Sequence, residues 1–535
     1  MRDYESLPRS SLDSDFDDDE AALKEFRRQQ WRRRRRFLSI SVLLRKCRRI
    51  CRPLYLLIAL LLFLLVQVTF NGSYTSPPPF DIPPNETVYI AANIVNSDLI
   101  SGAWGKNLVG LVKLIGKERV FVSIYGGPKS ALRELESMLD CEYSIVSEEE
   151  SPIDVAHLPH ITLPTTGEQK VKRIAYLASV RNRALEPLDT LDRRFDKLLF
   201  VNDVFFSPSD ATRLLWGTNI IDGKARYRSV CATDFTTSWK YYDTFATRDL
   251  EGYSIGLPIF PWFANEGSAV SRRDVLAEKD AVRVKSCWGG MVAFDARYFQ
   301  PSDTNAKTAL DHPRSFPDLQ EKEEDRDQHE EPAGLPLRFR AEPEPFYDSS
   351  ECCLIHADIA SIPRFTSSSH DHPPPSSKDM GIFMNPYVRV TYDSQTRSYI
   401  WLAKRFERLF ALPQAIINKF AHLPVHNARR EEEVGEIIKD RVWQPYNNTS
   451  SSLNKDELLA KLGSERDIRY RSDFTPGDWE SMGRYEDVDR VARRGGFCAV
   501  RQLLVYREGK LEEGERNWQN LLGELPPLEK SPNHK

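Results

Sequence analysis

The chain has 535 residues, of which 41% are hydrophobic and 28% charged, a globular composition with enough length for two or three folded units. Its formal net charge of −4 conceals a basic beginning, because residues 1–52 hold 15 Lys and Arg against nine Asp and Glu. The remainder is mildly acidic, which argues against a nucleic-acid-binding protein.

Residues 1–52 are predicted to form a disordered, basic cytosolic tail, because an acidic run (SLDSDFDDDEAA) with too few apolar residues for a core precedes a cluster of Arg. Residues 53–70 (PLYLLIALLLFLLVQVTF) are uncharged and apolar over a length that suits a thin bilayer. Because this run starts deep in the chain and no small-residue cleavage site follows it, we expect a single transmembrane signal anchor.

The charges around this apolar run predict its orientation. Arg residues precede it and none follows closely, so the positive-inside rule places the chain after residue 71 in the lumen or outside the cell. We therefore expect a type II membrane protein with a stiff Pro-rich stem over 71–86. Six cysteines, whose pairing the sequence leaves open, lie on the lumenal side. So do four glycosylation sequons, at Asn71, Asn85, Asn447 and Asn448.

From Thr87 the chain alternates between strand-like and helix-like segments. Segments such as VYIAANIV, RVFVSIY and YSIVS read as strands, and amphipathic stretches between them read as helices. Repeated strand–helix units predict an α/β fold with a mostly parallel sheet and helices on both faces.

The domain organisation follows from where this pattern stops. It predicts one lumenal domain over 87–425, interrupted by polar insertions at 301–332 and 366–380, and a charged C-terminal extension over 426–535.

One predicted strand, KLLFV, ends in Asn202-Asp203, and Pro208 then opens a helix. Ligands of α/β sheets bind beyond the carboxyl ends of strands, so Asp203 is a candidate for holding a divalent cation against a phosphate. The alternative is that the pair turns the chain and caps the helix. Arg181, on the preceding predicted helix, could bind a diphosphate or lie on the surface.

Three later stretches also place polar residues or glycines where a core needs apolar ones. Asp234, Asp243 and Arg248 stand among aromatics, a combination that binds sugars but also forms loop ion pairs. Trp288-Gly289-Gly290 would let the backbone approach a ligand closely. In the third stretch, an apolar segment leads to two further potential metal ligands, His356 and Asp358. The sequence lacks a P-loop, a G-x-S-x-G elbow and an H-E-x-x-H motif.

Five ordered blocks, KLLFVNDVFF, SVCATDF, YYDTFATRDLEG, SCWGGMVAFDARYF and ECCLIHAD, resemble the fungal α-1,3-mannosyltransferases of glycosyltransferase family 69, the family of the cryptococcal capsule mannosyltransferase and capsule-associated proteins. The resemblance covers roughly residues 87–425, and with the signal anchor before it implies a protein of the Golgi membrane, with the ER as the alternative. It implies a GT-A type fold, GDP-mannose as the donor, a mannose-containing glycan as the acceptor, retention at the anomeric carbon, and a divalent cation, Mn²⁺ or alternatively Mg²⁺.

The resemblance also implies roles for individual residues. Asn202-Asp203-Val204 takes the place of the metal-binding DxD, and with one carboxylate missing the metal ligands would be Asp203, His356 and Asp358. The donor-binding residues would be Arg181, Asn182, Asn202 and Asp203. The acceptor-binding residues would be Arg248, Trp288, Gly289 and Gly290. A retaining transfer needs either a carboxylate nucleophile or a group that stabilises an oxocarbenium ion, for which the unranked candidates are Asp234, Asp243 and Asp295.

Three other interpretations remain open at this stage. The chain could be a non-catalytic glycan-binding or scaffold subunit of a polysaccharide-assembling complex in the secretory pathway. It could be a transferase that uses another nucleotide sugar, such as UDP-xylose. A lumenal sugar hydrolase fits less well, because a strand-end Asp with a nearby Arg suits diphosphate binding better than water activation.

Overall fold

The structure is a computed structural model that describes residues 53–163, 168–301, 334–362, 380–445, 483–507 and 517–521. It divides into a unit that ends at Asn71 and a unit that begins at Gly72. The predicted tail, almost all of both polar insertions, and the sequons at Asn447 and Asn448 lie outside the described residues.

The described part of the first unit contains helix α1 (Pro53–Phe70). Pro occupies its first position, where a missing N–H costs nothing, and Leu-rich sequence favours the helix after it. Across the described ranges, no helix combines the length and the hydropathy needed to cross a membrane. The transmembrane anchor predicted over 53–70 is therefore unsupported.

The second unit contains nine α-helices and twenty strands in the part of the chain that the structure describes. The helices are α2 (Ser97–Ser101), α3 (Ala103–Ile115), α4 (Lys129–Met138), α5 (Arg173–Arg183), α6 (Pro208–Trp216), α7 (Val270–Leu276), α8 (Glu351–Ser361), α9 (Ser394–Phe406) and α10 (Ala411–Phe420). The strands are β1 (Val88–Asn93), β2 (Val120–Tyr125), β3 (Glu142–Val146), β4 (His160–Thr162), β5 (Gln169–Val171), β6 (Lys197–Val201), β7 (Ile220–Ile221), β8 (Lys224–Ala225), β9 (Ser229–Thr237), β10 (Lys240–Tyr241), β11 (Arg248–Asp249), β12 (Val282–Ser286), β13 (Met291–Asp295), β14 (Tyr347–Ser349), β15 (Ile382–Thr391), β16 (Ile437–Pro445), β17 (Gly483–Val491), β18 (Ala499–Arg501), β19 (Leu504–Tyr506) and β20 (Trp518–Asn520).

Ten strands form the central sheet, in the order β11-β12-β15-β9-β13-β6-β1-β2-β3, with β10 beside β9. Strands β6, β1, β2 and β3 are parallel neighbours, and so are β9 and β15. Strand β13 lies antiparallel between β6 and β9. The predicted α/β class with a mostly parallel sheet is confirmed.

Helices cover both faces of this sheet, as the fully buried strands require. Along β1, Val88, Ile90 and Ala92 pack into one core with residues of α3, α4 and α6, whereas Tyr89 and Ala91 pack into the other with residues of α5 and α8. The alternation has a period of two because successive strand side chains point to opposite faces.

The C-terminal extension packs onto the same unit. Strand β18 pairs with β14, and the disulfide Cys353–Cys498 joins α8 to the turn before β18 across 145 residues of sequence. A second disulfide, Cys231–Cys287, joins β9 to the segment after β12. Both disulfides involve cysteines predicted to be lumenal.

Candidate active site

Several strands of the sheet end in polar residues on the same side, where the carboxyl ends of the parallel strands lie. We call this side the Asp203 edge. Strand β6 ends before Asn202, whose N–H donates to the carbonyl of Gly290 (2.9 Å), just before β13 begins. Strand β9 runs parallel to β6 on the far side of β13, so Asp234 near its end reaches the same edge. Strand β15 arrives alongside β9, and the carbonyl of Thr391 accepts from Phe205 N–H (2.7 Å).

Asp203 is a partly accessible carboxylate at this edge. It is half-buried and forms no hydrogen bond with another described residue, whereas the next residue, Val204, is completely buried. It does not cap α6, because the cap is Ser207, whose hydroxyl accepts from Asp210 N–H (3.2 Å). The helix-cap interpretation is therefore wrong, and the carboxylate remains available to a ligand.

Arg181, at the end of α5, connects this edge to α8. Its Nη1 donates to Asn202 Oδ1 (3.2 Å) and its Nε donates to Glu351 Oε1 (2.9 Å). Burial acts to lower the pKa of Arg181, but Cys352, Glu351 and Asp203 outweigh burial and raise that pKa above its ordinary value. The guanidinium is thus a fixed positive charge beside Asp203.

Three aromatic rings surround this guanidinium. Its central carbon lies 4.3 Å from the centroid of Trp288, 5.3 Å from that of Phe200 and 5.7 Å from that of Phe339. Such cation–π contacts are strongest where water is excluded, and Trp288 is only 5% exposed. Trp288 therefore supports Arg181 and is too buried to bind an acceptor, contrary to its predicted role.

Glu351 is a site residue that we did not predict. It begins α8 after the cap Ser350, and its side chain is only 4% exposed. Oε1 of Glu351, which accepts from Arg181, also accepts from the Cys352 thiol (3.4 Å). A charged residue directly after a capping Ser in an otherwise apolar segment is the sequence signal that could have identified it.

Asp243 organises the Trp288-Gly289-Gly290 turn. Its Oδ2 accepts from the N–H groups of Trp288 (2.8 Å) and Gly289 (3.2 Å) and from the Thr247 hydroxyl (2.9 Å), while Oδ1 accepts from Ala246 N–H (3.0 Å). Both oxygens are engaged, so Asp243 is a structural acceptor and a poor nucleophile.

The turn needs glycine because its backbone lies against neighbouring strands. Gly289 and Gly290 have φ values of 58° and 69°. A Cβ at Gly289 would lie 2.0 Å from the Ala232 carbonyl oxygen, and one at Gly290 would lie 2.7 Å from Val204 Cγ1. Both glycines thus serve close packing, and the acceptor-binding role predicted for them has no support in these contacts.

Asp234 is buried behind the same edge. Its Oδ1 accepts from Asp243 N–H (3.1 Å) and its Oδ2 from the Tyr392 hydroxyl (2.8 Å). Burial, followed by the negative charge of Asp243, raises the pKa of Asp234 to about 7. Asp234 positions its neighbours and cannot reach a substrate in this arrangement. Tyr392, at the end of β15, was missed because its partner lies 158 residues away.

Three other predicted site residues have structural partners instead. Asp295 pairs in register with Lys197, at the opposite end of the sheet, and accepts from Arg297 Nε (3.0 Å). Arg248 is buried and donates to the carbonyls of residues 245, 247, 497 and 498. The Asn182 side-chain amide donates to the Phe339 carbonyl (2.9 Å) and accepts from the Phe339 N–H (2.8 Å). The side chains of all three residues are therefore occupied by contacts within the protein.

The predicted metal shell does not assemble. His356 is completely buried on α8, and its Nδ1 donates to the Cys352 carbonyl (2.7 Å). Burial lowers the pKa of His356 to about 4, and its Nε2 lies 3.9 Å from Cys231 Sγ. Asp358 accepts two hydrogen bonds from Arg340 (2.8 and 3.0 Å). Neither residue can join Asp203.

A closed protein-only metal site is also absent from the described residues. The one group of three potential ligands there is Cys231, Cys287 and His356, and a disulfide joins the two cysteines. A single accessible carboxylate such as Asp203 would be only one part of a Mg²⁺-type site, in which one or two carboxylates act together with substrate phosphates and water.

Comparison with known proteins places this site in context. The family model described as cryptococcal mannosyltransferase 1 matches residues 87–358, about half of the chain, including every site residue named above except Tyr392 and Thr391. No curated protein sequence matches significantly.

Solved structures share low similarity. Glucosyl-3-phosphoglycerate synthase from Mycobacterium tuberculosis, in complex with Mn²⁺, UDP and phosphoglyceric acid, is 9% identical, with 70% of this chain and 90% of that chain covered and a TM-score of 0.28. Mannosyltransferase PcManGT from Pyrobaculum calidifontis, in complex with GDP-Man and Mn²⁺, is 11% identical, with 68% and 74% covered and a TM-score of 0.27.

Proposed function

The chain belongs to the cryptococcal mannosyltransferase 1 family, and we propose that it transfers mannose from GDP-mannose to a mannose-containing glycan, forming an α-1,3 linkage with retention. The observation that carries the proposal is the open Asp203 carboxylate at the end of β6, beside the enclosed Arg181 guanidinium. A carboxylate for a cation and a fixed positive charge for phosphate oxygens are what a nucleotide-sugar diphosphate requires.

In this proposal Asp203 holds a divalent cation, Mn²⁺ or Mg²⁺, which when bound neutralises charge on the departing diphosphate. Arg181 supplies a second positive charge without having to reorganise, because Glu351, Asn202 and the aromatic rings already fix it. Trp288 excludes water from the inner side of the Arg181 guanidinium.

The retaining step is proposed to proceed without a carboxylate nucleophile from the predicted set. Both oxygens of Asp234 and of Asp243 are engaged by hydrogen bonds, and Asp295 lies at the far end of the sheet. These contacts favour attack by the acceptor from the leaving-group side, with stabilisation of an oxocarbenium ion. The hypothesis assigns that stabilisation to no single residue.

The test uses the purified full-length protein with GDP-mannose, MnCl₂ and a mannose disaccharide. We expect GDP release that depends on acceptor and stops with chelator, and a loss of about 100-fold or more in Asp203→Ala. The exposed Asp140→Ala serves as the matched carboxylate control. Wild-type turnover by a folded Asp203→Ala protein would overturn this role. A parallel donor screen that includes UDP-xylose tests the choice of sugar nucleotide.

A second candidate function is a glycan-binding subunit without turnover. It is favoured by the lone carboxylate, because the buried Val204 occupies the position where a second metal-binding residue would stand. Calorimetry separates the two: a transferase is expected to bind GDP in the presence of Mn²⁺, and a pure scaffold is not.

We also propose that the protein works in the secretory pathway, at the Golgi. Its two disulfides support this, because disulfides persist in oxidising compartments and are rare in the cytosol.

A further inference from the structure

Two aromatic side chains, from Tyr242 and Tyr392, lie near the carboxyl end of β9, and we call this pair the aromatic edge. Phe205 follows Asp203 by two residues, and its N–H donates to the Thr391 carbonyl (2.7 Å) immediately before Tyr392. The rings of Tyr242 and Tyr392 meet edge to face, with centroids 4.7 Å apart. The chain that follows Asp203 therefore pairs with the segment that leads into Tyr392.

Tyr242 is both exposed and held in place. Its side chain is 53% exposed, although an aromatic ring of this size is normally covered. Its N–H donates to the Asp234 carbonyl (3.0 Å), and its ring neighbour Tyr392 is fixed by the bond from its hydroxyl to Asp234 Oδ2 (2.8 Å). One buried carboxyl residue thus fixes both tyrosines.

The same network reaches the site that holds Arg181. Asp243, next to Tyr242 in sequence, binds the N–H groups of Trp288 and Gly289, and the Trp288 ring lies against the guanidinium. The backbone that carries the Tyr242 ring is therefore adjacent to the residues that pack against Arg181.

The residues predicted to bind the acceptor are too buried to contact it. Trp288 is 5% exposed and Arg248 is 2% exposed, and both are occupied by internal contacts. A sugar needs an exposed aromatic face for its C–H surface and exposed polar atoms for its hydroxyls. Tyr242 offers the first. The exposed Asp393 carboxylate, which follows Tyr392, offers the second through Oδ2, because its Oδ1 caps α9 by accepting from Thr396 N–H (2.7 Å).

We propose that the aromatic edge is the acceptor subsite, with the sugar ring of the acceptor glycan packed on Tyr242 and its hydroxyls hydrogen-bonded to Asp393. This inference rests on the proposed transferase function and adds the surface that selects the acceptor. It assigns no bond-making role to Tyr242, which acts as a binding residue.

The experiment measures acceptor KM and donor KM separately with the full-length protein, GDP-mannose and a mannose disaccharide. Tyr242→Ala is expected to raise acceptor KM about 3- to 10-fold, the range of a lost aromatic contact, and to leave donor KM unchanged. Tyr242→Phe should resemble wild type, because the proposal uses the ring and not the hydroxyl. The matched control is Tyr143→Ala, which removes a tyrosine that is 44% exposed on β3, at the opposite margin of the sheet.

Each outcome decides the question. An unchanged acceptor KM in an active Tyr242→Ala protein overturns the subsite while the proposed function stands, and so does an equal rise in acceptor KM and donor KM. If the wild type shows no turnover, the proposed function fails and the subsite is tested by saturation-transfer NMR with the same disaccharide. A signal that Tyr242→Ala abolishes and Tyr143→Ala retains supports the subsite, and an equal signal in all three proteins refutes it.

Discussion

Arg181 shows how a buried charge is kept in place at the scale of a single residue. A guanidinium removed from water needs partners for its N–H groups, and here an amide oxygen and a carboxylate supply them while aromatic rings cover its faces. Lys could keep the charge but could not reach both partners in one plane.

We accordingly expect Arg181→Lys to lower kcat/KM roughly 10- to 100-fold, the cost of one or two charge-assisted hydrogen bonds. The comparison is Arg183→Lys, which alters an Arg on the same helix that pairs with Glu186 near the surface. Kinetics of both variants, with circular dichroism to check folding, test this. Equal activity in the two variants would contradict the role given to Arg181.

Gly289 allows a sharp test of backbone packing. Gly289→Ala should destabilise the fold by about 3 kcal/mol or more, because it combines a positive φ with a clash against a backbone carbonyl. Gly223→Ala has the same kind of φ (72°) but no atom within 4 Å of the added Cβ, so it should cost only about 1 kcal/mol. Urea denaturation gives both values, and similar losses would show that the clash is relieved.

Asp234 predicts a pH dependence of stability. Its pKa in the folded protein is raised to about 7 from an ordinary value of 3.8, so the folded state binds a proton that the unfolded chain has released. The free energy of unfolding should therefore fall as the pH rises from about 4 to about 7, and this component should vanish in Asp234→Asn. Urea titrations at several pH values compare the two slopes. Identical slopes would show that Asp234 keeps an ordinary pKa.

At the scale of elements, the C-terminal extension holds the start of α8 from both sides. Strand β18 pairs with β14 before Glu351, and Cys498 is bonded to Cys353 just after it. The orientation of the Glu351 carboxylate, and through it that of Arg181, thus depends on residues almost 150 positions later in the chain.

Replacing both Cys353 and Cys498 by Ser should lower the free energy of unfolding by about 4 kcal/mol, since the bond closes a long loop. We also expect kcat to fall, because Glu351 loses one of its two restraints. The half-buried free thiol offers a control in Cys141→Ser. A double variant with full activity would show that the β14–β18 pairing suffices.

The sequence predicted the elements better than the site. Asp203 and Arg181 were found because a polar pair ending an apolar strand and an Arg on the helix before it are local signals. Arg248 was misassigned because its partners are distant in sequence. His356 and Asp358 were misassigned because their burial on α8, beside the Cys352 carbonyl and Arg340, depends on the packing of that helix. The Arg248 acceptors include residues 249 and 250 positions away, and no local pattern records such contacts.

At the scale of the whole molecule, the disulfides and the exposed Asn85 sequon lead to one expectation about the compartment. The expressed protein should carry an N-glycan at Asn85. The Asn85→Gln protein should therefore migrate faster in electrophoresis than the wild type and shift less on endoglycosidase treatment. Asn71→Gln provides the comparison with a half-buried sequon. A mobility that neither substitution nor enzyme treatment changes would argue against passage through the secretory pathway.

The antiparallel direction of strand β13 determines at which end of the sheet the chain leaves it. Met291, the first residue of β13, adjoins the site, whereas Asp295, the last, pairs with Lys197 at the far end of the sheet. There the Gln300 side-chain amide accepts from the Phe195 N–H and donates to the Phe195 carbonyl (2.9 Å each). The described chain therefore stops at residue 301 at the end of the sheet opposite Asp203, and after it resumes at residue 334 the N–H of Leu337 donates to the Tyr298 carbonyl (2.7 Å). We therefore expect a tag or a fused domain inserted directly after residue 301 to leave Asp203 and Arg181 undisturbed.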